Sequence, residues 1–228
     1  MRAIDRRRVM VKVGGGPSYD ENSYVQDGLV FQLDGIAKGT TDSDKWIDLK
    51  GGVVFGNPVN VTPTTDGYVI GTSSQATPQG YMPVTSGTVP TGSGYTIEFC
   101  MEEVFKKAQD YLFVTRASDT TAMHLYFSSA NLYWMKGESI YLFPSANRGG
   151  KHTISLNSSR GIRNYANMST NGTSTLNRNV SSACIGHPTA GTIYGTLHAI
   201  RIYSRQLTAD EMIANQQVDN VRFSLGLT

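Results

Sequence analysis

The sequence predicts an all-β antiparallel sandwich of two packed sheets, with one short helix close to the C-terminus. Short runs that alternate apolar and polar residues follow Asp27, and turn residues separate them at about the 8–12 residue spacing of sandwiches. The chain has 24 Gly and only 17% charged residues, against roughly 25% in an average soluble protein. It shows no internal repeat and no βαβ alternation, which argues against a parallel sheet.

The first strand candidates lie between residues 27 and 70. The segment 27–35 places apolar residues between two glycines, 46–49 starts with Trp46, and 67–70 follows a polar stretch. A Trp directly before Ile-Asp-Leu is expected to be structural. Residues 71–93 are rich in Ser, Thr, Pro and Gly, which predicts a loop with little regular structure.

From residue 95 the alternation becomes sharper. Ile97, Phe99 and Met101 share one face of a strand, while Thr, Glu and Cys residues occupy the other. This pattern predicts a strand with one buried face and one wetter face. The polar segment 158–180, which contains Asn171-Gly172, predicts a hairpin. The other strand candidates are 112–114, 123–127, 132–135, 140–143, 152–156, 183–186 and 194–203.

The helix signal comes near the end of the chain. Thr208 and Glu211 form the Thr-x-x-Glu pattern of a capping box. The turns that follow would place Met212, Ile213 and Gln216 on one side of the helix. One short helix is therefore expected on an otherwise β chain.

Two regions follow from the charge distribution: a basic arm over residues 1–26 with a Gly-rich joint, and a sandwich domain over 27–228. Residues 1–12 contain five basic residues and one acid, Asp5, which gives this stretch a net charge of +4. Since the whole chain has a net charge of +2, the remaining residues have a net charge of +2 − 4 = −2. A weakly acidic body argues against a nucleic-acid-binding surface. The arm is interpreted as an anchor onto an acidic partner or, alternatively, as a solvated mobile terminus. Its basic residues are Arg2, Arg6, Arg7, Arg8 and Lys12.

Membrane insertion and export are not expected from this sequence. It contains no run of 18 apolar residues, and the basic start lacks the apolar core of a signal peptide. Two cysteines, Cys100 and Cys184, are too few for a disulfide framework. They are interpreted as free thiols in or near the core, with pairing left open. No CxxC or HExxH pattern points to structural zinc.

Several segments together resemble a known family. In order they are DGLVFQLDG, WIDLKGG, GYTIEF, HTISL, ACIGH and GTLHAIRIYSRQLTADEMIANQQVDNVRF. Residues 27–225 resemble laminin-G-like domains of the concanavalin A-like lectin and glucanase superfamily, and the R-I-Y-x-R-x-L-T-x-x-E tail is the most specific part. The resemblance implies a jelly roll of two sheets that binds ligands through loops at one end or on its concave sheet. It does not specify the ligand.

The start of the chain resembles short standalone members associated with gut Bacteroidales and their phages. An arginine-rich start leads there into the pattern seen here from Tyr24 to Val30. This resemblance implies a non-enzymatic virion component, head-decorating or fibre, made in the host cytoplasm and attached to other virion proteins by the arm. The alternative is a bacterial surface adhesin or lectin that binds cell-surface glycans. The oligomeric state, including a homo-oligomer, is left open.

A glycoside hydrolase is the third hypothesis, and it concerns Glu98 and Glu102. Glucanases of the resembling superfamily carry a Glu-x-Asp-x-Glu strand motif, but Cys100 replaces the central Asp here. Positions i and i+4 of a regular strand lie about 13 Å apart, whereas retaining hydrolysis needs carboxyl groups about 5–5.5 Å apart. We therefore expect no catalytic residue.

Aromatic side chains in the middle strands are the candidate glycan-stacking residues. They are Tyr126, Tyr133 and Trp134, and each ring could instead belong to the core. Tyr133 and Trp134 are adjacent in a strand and should point to opposite faces. One of the two is then expected outside the core.

Calcium is the metal that the loops suggest. Asp42, Asp44 and Asp48 cluster in one region, with Asp34 near in sequence, and laminin-G-like domains can bind calcium through loop oxygens. The alternative is that these carboxylates cap turns. No cofactor is expected, the metal content is left open, and four scattered histidines are interpreted as ordinary strand or loop residues.

Overall fold

The structure is a computed structural model that describes residues 19–72, 80–90, 94–105, 109–114, 124–128, 131–135, 139–142, 149–169, 183–188 and 191–228. The described elements are β1 (Leu29–Asp34), β2 (Lys45–Ile47), β3 (Val54–Gly56), β4 (Val61–Pro63), β5 (Tyr68–Ile70), β6 (Gly80–Ser86), β7 (Thr96–Phe105), β8 (Gln109–Val114), β9 (His124–Ser128), β10 (Asn131–Met135), β11 (Ser139–Leu142), β12 (Gly150–Leu156), β13 (Gly161–Arg163), β14 (Ala166–Met168), β15 (Cys184–His187), β16 (Tyr194–Tyr203) and α1 (Ala209–Arg222). Across these ranges, no helix has the length and apolar content needed to cross a membrane.

Two antiparallel sheets contain all of these strands. The first sheet has the order β14-β13-β12-β7-β16-β5-β4, and β1 also pairs with β16. The second sheet has the order β11-β10-β9-β8-β15-β6-β3-β2. Half of these pairings join strands that are not consecutive in the chain, such as β16 with β1 and with β7. The predicted all-β sandwich with one C-terminal helix is confirmed.

The main hydrophobic core unites residues of both sheets. Ile97 and Phe99 of β7 belong to it from the first sheet, and Trp46, Met82 and Ile185 belong to it from the second. Each large apolar side chain buried in this way contributes about 1.5–3 kcal/mol. Trp46 is fully buried and its Nε1 donates a hydrogen bond to the Asp34 carbonyl at 3.1 Å. The expected structural role of this tryptophan is confirmed.

The capping box at the start of α1 is present as predicted. The Thr208 hydroxyl accepts from the Glu211 backbone N–H at 3.3 Å, and the Glu211 carboxylate accepts from the Thr208 N–H at 2.9 Å. Two backbone donors that the first turn leaves unpaired are satisfied in this way. The buried side of α1 is nevertheless largely polar, because it comprises Met212, Asn215, Gln216, Val218 and Asp219.

Residues 19–26, the last part of the predicted arm, lie against the sandwich. Tyr24 is fully buried, and its hydroxyl donates to Asp219 Oδ1 at 2.9 Å. The Val25 N–H donates to Asn215 Oδ1 at 2.8 Å. These contacts join the segment to α1. The division of the chain at residue 27 stays a prediction, and residues 1–18 lie outside the described residues.

One loop prediction is wrong. Residues 71–93 were expected to have little regular structure, yet Gly80–Ser86 forms β6 and pairs with both β15 and β3. Met82 of β6 is fully buried. The partner strand β15 begins about one hundred residues later. Pairing with this distant strand therefore stabilises β6, although the Pro and Ser content of the segment favours a loop.

The predicted hairpin within residues 158–180 is present at β13 and β14. Its turn is formed by Asn164 and Tyr165, which both have positive φ, 46° and 69°. Two such residues in succession suit a tight hairpin turn. The Asn171-Gly172 pair that suggested the hairpin lies outside the described residues.

Candidate functional site

The outer face of the first sheet is covered by α1 and by residues 19–26. On β7, Thr96, Glu98 and Cys100 point away from the main core, yet each is at most 1% exposed. The expectation of a wetter face is therefore wrong at these three positions, while Glu102 of the same face is partly exposed. The physical reason is tertiary: α1 packs across β12 and β13, and its polar residues reach the neighbouring β7. We call this surface the covered face.

Arg201 of β16 lies at the centre of the covered face. Its Nε donates to Glu98 Oε2 at 2.9 Å, and its two terminal nitrogens donate to both oxygens of Asp219 at 2.8 and 2.6 Å. The guanidinium carbon lies 4.0 Å from the centre of the Tyr24 ring. Bidentate pairing and ring stacking suit the planar guanidinium. Two carboxylates and one aromatic ring thus surround the buried guanidinium group of Arg201.

Glu98 is the second charged group of the covered face. Its Oε2 also accepts from Asn215 Nδ2 at 2.9 Å, and its Oε1 accepts from the Ser155 hydroxyl at 2.9 Å. Burial raises the pKa of Glu98, while the charge and hydrogen bond of Arg201 oppose that rise. Both carboxylate oxygens of Glu98 therefore accept hydrogen bonds from other side chains of the protein.

This geometry bears directly on the pair Glu98 and Glu102. Glu98 is 1% exposed and accepts hydrogen bonds from Arg201, Asn215 and Ser155. A substrate would reach it only after α1 had left the sheet. A general acid or nucleophile must instead lie within hydrogen-bond reach of the reacting atoms. In this structure Glu98 serves to bind α1 to the sheet.

A second arrangement lies on the second sheet, where three tyrosines are aligned across three strands. The backbone register pairs Tyr126 of β9 with Tyr111 of β8 and with Tyr133 of β10. Directly paired positions of neighbouring strands share one face of a sheet. We call this row, Tyr111, Tyr126 and Tyr133, the tyrosine ladder.

The register also assigns the face on which the tyrosine ladder lies. Ile185 belongs to the main core and is paired with Phe113, which in turn is paired with Leu125. Tyr126 follows Leu125 in the strand and so occupies the opposite face. Tyr111 is paired with Tyr126 and therefore shares its face. The tyrosine ladder therefore lies on the outer face of the second sheet, which we call the ladder face.

The register assigns a face to two of the three predicted stacking residues. Tyr126 and Tyr133 occupy paired positions on the ladder face. Trp134 falls where the register shifts between Tyr133 and Met135, so simple alternation does not assign its face. Tyr111 was missed, although its place beside the apolar run 112–114 is the signal that could have found it.

The arm residues proposed as an anchor cannot be placed. Arg2, Arg6, Arg7, Arg8 and Lys12 lie outside the described residues.

Three of the carboxylates suggested for calcium are engaged by protein groups: Asp34, Asp48 and Asp42, which pairs with Lys45 at 2.7 Å. Asp48 accepts from the backbone N–H groups of Gln32, Lys50 and Gly51, as a turn-capping residue does. Asp34 accepts from Arg222. Across the described ranges, no group of three or more His, Cys, Asp or Glu residues is arranged to hold a metal ion. These observations favour the turn-capping interpretation.

Both cysteines are buried free thiols, as the sequence predicts. Burial raises the pKa of Cys184 to about 12 and the pKa of Cys100 well above its ordinary value. Since the thiolate is the reactive form, neither residue has the properties of a nucleophile.

No protein-family model matches the sequence, and neither does the sequence of any curated protein. Solved structures do match. A Trypanosoma rangeli sialidase in complex with the inhibitor DANA aligns with 85% of this chain and 34% of its own, at 14% identity and a TM-score of 0.50. The binding domain of botulinum neurotoxin DC in complex with SialylT aligns with 83% of this chain and 52% of its own, at 14% identity and a TM-score of 0.53.

These matches concern the fold of the chain. The chain spans about a third of the sialidase and about half of the toxin domain. At 14% identity the similarity shows a shared β-sandwich fold and nothing about chemistry. A β-sandwich agrees with these neighbours, while the concanavalin A-like, laminin-G-like assignment stays a prediction.

Proposed function

We propose that the chain is a non-enzymatic, lectin-like domain that binds glycans on its ladder face. The observation that carries the proposal is the tyrosine ladder, three aromatic residues at paired positions on the side of the sheet away from the core. Tyrosine offers a flat apolar ring for the C–H face of a sugar and a hydroxyl for its polar groups. A shared fold with a toxin binding domain solved with SialylT supports the same role.

The non-enzymatic part of the proposal is supported by Glu98. This residue matches the first Glu of the resembling hydrolase motif, and here it is buried beneath α1 and hydrogen-bonded by three protein groups. A carboxylate held in this way stabilises the packing of a helix. The hydrolase hypothesis would need a substrate to displace α1.

Glycan-array binding tests the proposal. The wild-type chain should bind a subset of glycans, and the Y126A/Y133A double variant should lose about tenfold or more in affinity, since each aromatic contact contributes about 0.5–1.5 kcal/mol beyond its area. Tyr194→Ala is the matched control, because Tyr194 begins β16 in the first sheet. A wild-type chain that binds no glycan, or a double variant that binds as the wild type does, would contradict the proposal.

We further propose that the basic arm attaches this domain to a larger assembly, for which a phage virion is the first candidate and a bacterial surface the second. The support is the charge of +4 over residues 1–12, on a chain whose remaining residues sum to −2. Complementary charge on the partner would steer and hold such a segment.

Deletion of residues 1–16 tests the attachment. The truncated chain should keep the circular dichroism of a β protein and lose its co-sedimentation with particles. Incorporation of the truncated chain at wild-type levels would refute the anchor and leave the glycan-binding proposal untouched.

A further inference from the structure

Residues 19–26 lie between α1 and β1, and we call them the clasp. They form no strand of either sheet. Side chains of the two flanking elements bind their backbone instead. The side-chain amide of Gln32 in β1 donates to the Glu21 carbonyl at 2.8 Å, and Arg222 of α1 donates to the Tyr19 carbonyl at 3.1 Å. The clasp is therefore held on the body as a docked peptide is held, by side-chain contacts.

Tyr24 anchors the clasp. Its side chain is fully buried, with the ring centre 4.0 Å from the Arg201 guanidinium carbon and the hydroxyl donating to Asp219 at 2.9 Å. The next residue, Val25, donates its N–H to Asn215 Oδ1 at 2.8 Å. Ring, hydroxyl and backbone are thus each matched by a group of the body. We call the receiving residues the clasp groove, and they are Gln32, Arg201, Asn215, Asp219 and Arg222.

A short, tight turn joins the clasp to β1. The Leu29 N–H donates to the Gln26 carbonyl at 3.1 Å and closes this turn. Gly28 within the turn has a φ of +77°, and a Cβ at this position would lie 2.9 Å from Arg205 Cγ. A residue other than glycine would therefore strain the closed turn. The clasp reaches the groove of its own body through this closed turn.

We propose that the clasp groove is also the site at which two copies of this chain join, each copy receiving residues 19–26 of the other in an exchange known as domain swapping. The groove fits this segment within one chain, so it fits the identical segment of a second copy through the same contacts. Opening of the turn at Gly28 frees the clasp for the exchange. Protein concentration and the strain in the turn then set the ratio of single to paired copies. This interaction is independent of glycan binding and adds a second copy of the chain as a partner.

Mixing of isotope-labelled and unlabelled full chains tests the exchange. The two populations are warmed together to just below the melting temperature, cooled at high concentration and analysed by native mass spectrometry. A dimer that contains one copy of each label should form. Tyr24→Ala should lower its amount about tenfold or more, because a clasp without its aromatic anchor no longer docks in a groove. Tyr19→Ala is the matched control, since Tyr19 gives the groove its backbone carbonyl, which this change leaves in place.

Two changes to the turn distinguish exchange from other modes of association. Gly28→Ala strains the closed turn and should raise the dimer fraction about threefold or more, because the opened turn is free to take another φ. Insertion of Gly-Ser-Gly after Gln26 lengthens the turn and should lower the dimer fraction, because the clasp then returns to its own groove without strain. Gly94→Ala is the matched control, since Gly94 also has a positive φ, +79°, and precedes β7.

Each result decides for or against the exchange. Absence of a mixed dimer in both the wild type and Gly28→Ala would overturn it. A dimer that persists in a folded Tyr24→Ala variant would show that two copies join elsewhere, which overturns it as well. If Tyr24→Ala does not fold, the turn variants decide, because equal dimer fractions in Gly28→Ala and the insertion variant would refute a role for the turn and with it the exchange.

Discussion

The outer faces of the two sheets differ in how they use polar residues. The covered face buries Arg201 and Glu98 beneath α1, and Arg201 joins Glu98 to Asp219 of the helix. The ladder face carries the paired positions of the tyrosine ladder, and no described helix packs on it. Both faces are built by the same alternation of side chains along strands.

This difference shows what a polar residue on a strand can do once its neighbours are known. Glu98 would be a candidate catalytic group on an open sheet, but under a helix it becomes a hydrogen-bond acceptor that fixes the position of that helix. We propose that the ligand-binding role belongs to the second sheet. The following predictions test the contrast by stability on one face and by binding on the other.

The largest effect is expected for Arg201→Met. This change leaves Glu98 and Asp219 buried without their cation, at a cost of about 3–5 kcal/mol in the free energy of unfolding. Arg205→Met is the matched control, because Arg205 pairs with Glu211 at a partly exposed site, where pairs contribute about 0–1 kcal/mol. Urea unfolding measures both variants. Equal losses would show that the buried network does not hold the covered face together.

Glu98→Gln should have the next largest effect. The amide keeps the shape of the side chain but removes the charge that pairs with Arg201, with an expected loss of about 1.5–3 kcal/mol. The affinity for the best glycan should not change, because Glu98 lies on the opposite sheet from the tyrosine ladder. Loss of glycan binding in a folded Glu98→Gln variant would reverse our assignment of the two faces.

Tyr126→Ala should behave in the opposite way. Cross-strand pairs of side chains contribute about 0.2–1 kcal/mol, so the melting temperature should fall only slightly while glycan affinity falls strongly. Tyr126→Ala should thus lose affinity and keep stability, whereas Glu98→Gln should lose stability and keep affinity. A large loss of stability without a change in affinity would identify Tyr126 as a structural residue.

The smallest effect concerns Glu211 in acid. Its hydrogen bond with Arg205 lowers the pKa of Glu211 to about 2, below its ordinary value near 4.5. The carboxylate therefore stabilises the fold above about pH 4.5 and loses this contribution as the pH falls toward 2. The stability difference between the wild type and Glu211→Gln should be under about 1 kcal/mol at pH 6 and should shrink by pH 3.

Asp210→Asn is the control for this last measurement, since Asp210 is an exposed acid in the same first turn. It should retain the pH dependence that Glu211→Gln removes. A difference that stays constant from pH 6 to pH 3 would show that the pair with Arg205 does not couple to folding.

Local sequence patterns were sufficient where a physical signal lies within a few residues. The alternation of Ile97, Phe99 and Met101 predicted the core side of β7, and the Thr208–Glu211 spacing predicted the start of α1. They failed for β6, whose partners lie far along the chain. They were incomplete for the tyrosine ladder, because Tyr111, Tyr126 and Tyr133 are brought together only by strand pairing.

Strand periodicity and helix capping are encoded over short stretches, so the amino-acid order alone predicts an all-β sandwich with a capped C-terminal helix. Which sheet face is covered, and which aromatic residues align, depends on tertiary packing. The reason is that alternation distinguishes the two sides of a strand without saying what packs on either side. That is settled by contacts such as Glu98 with Arg201, 103 residues apart.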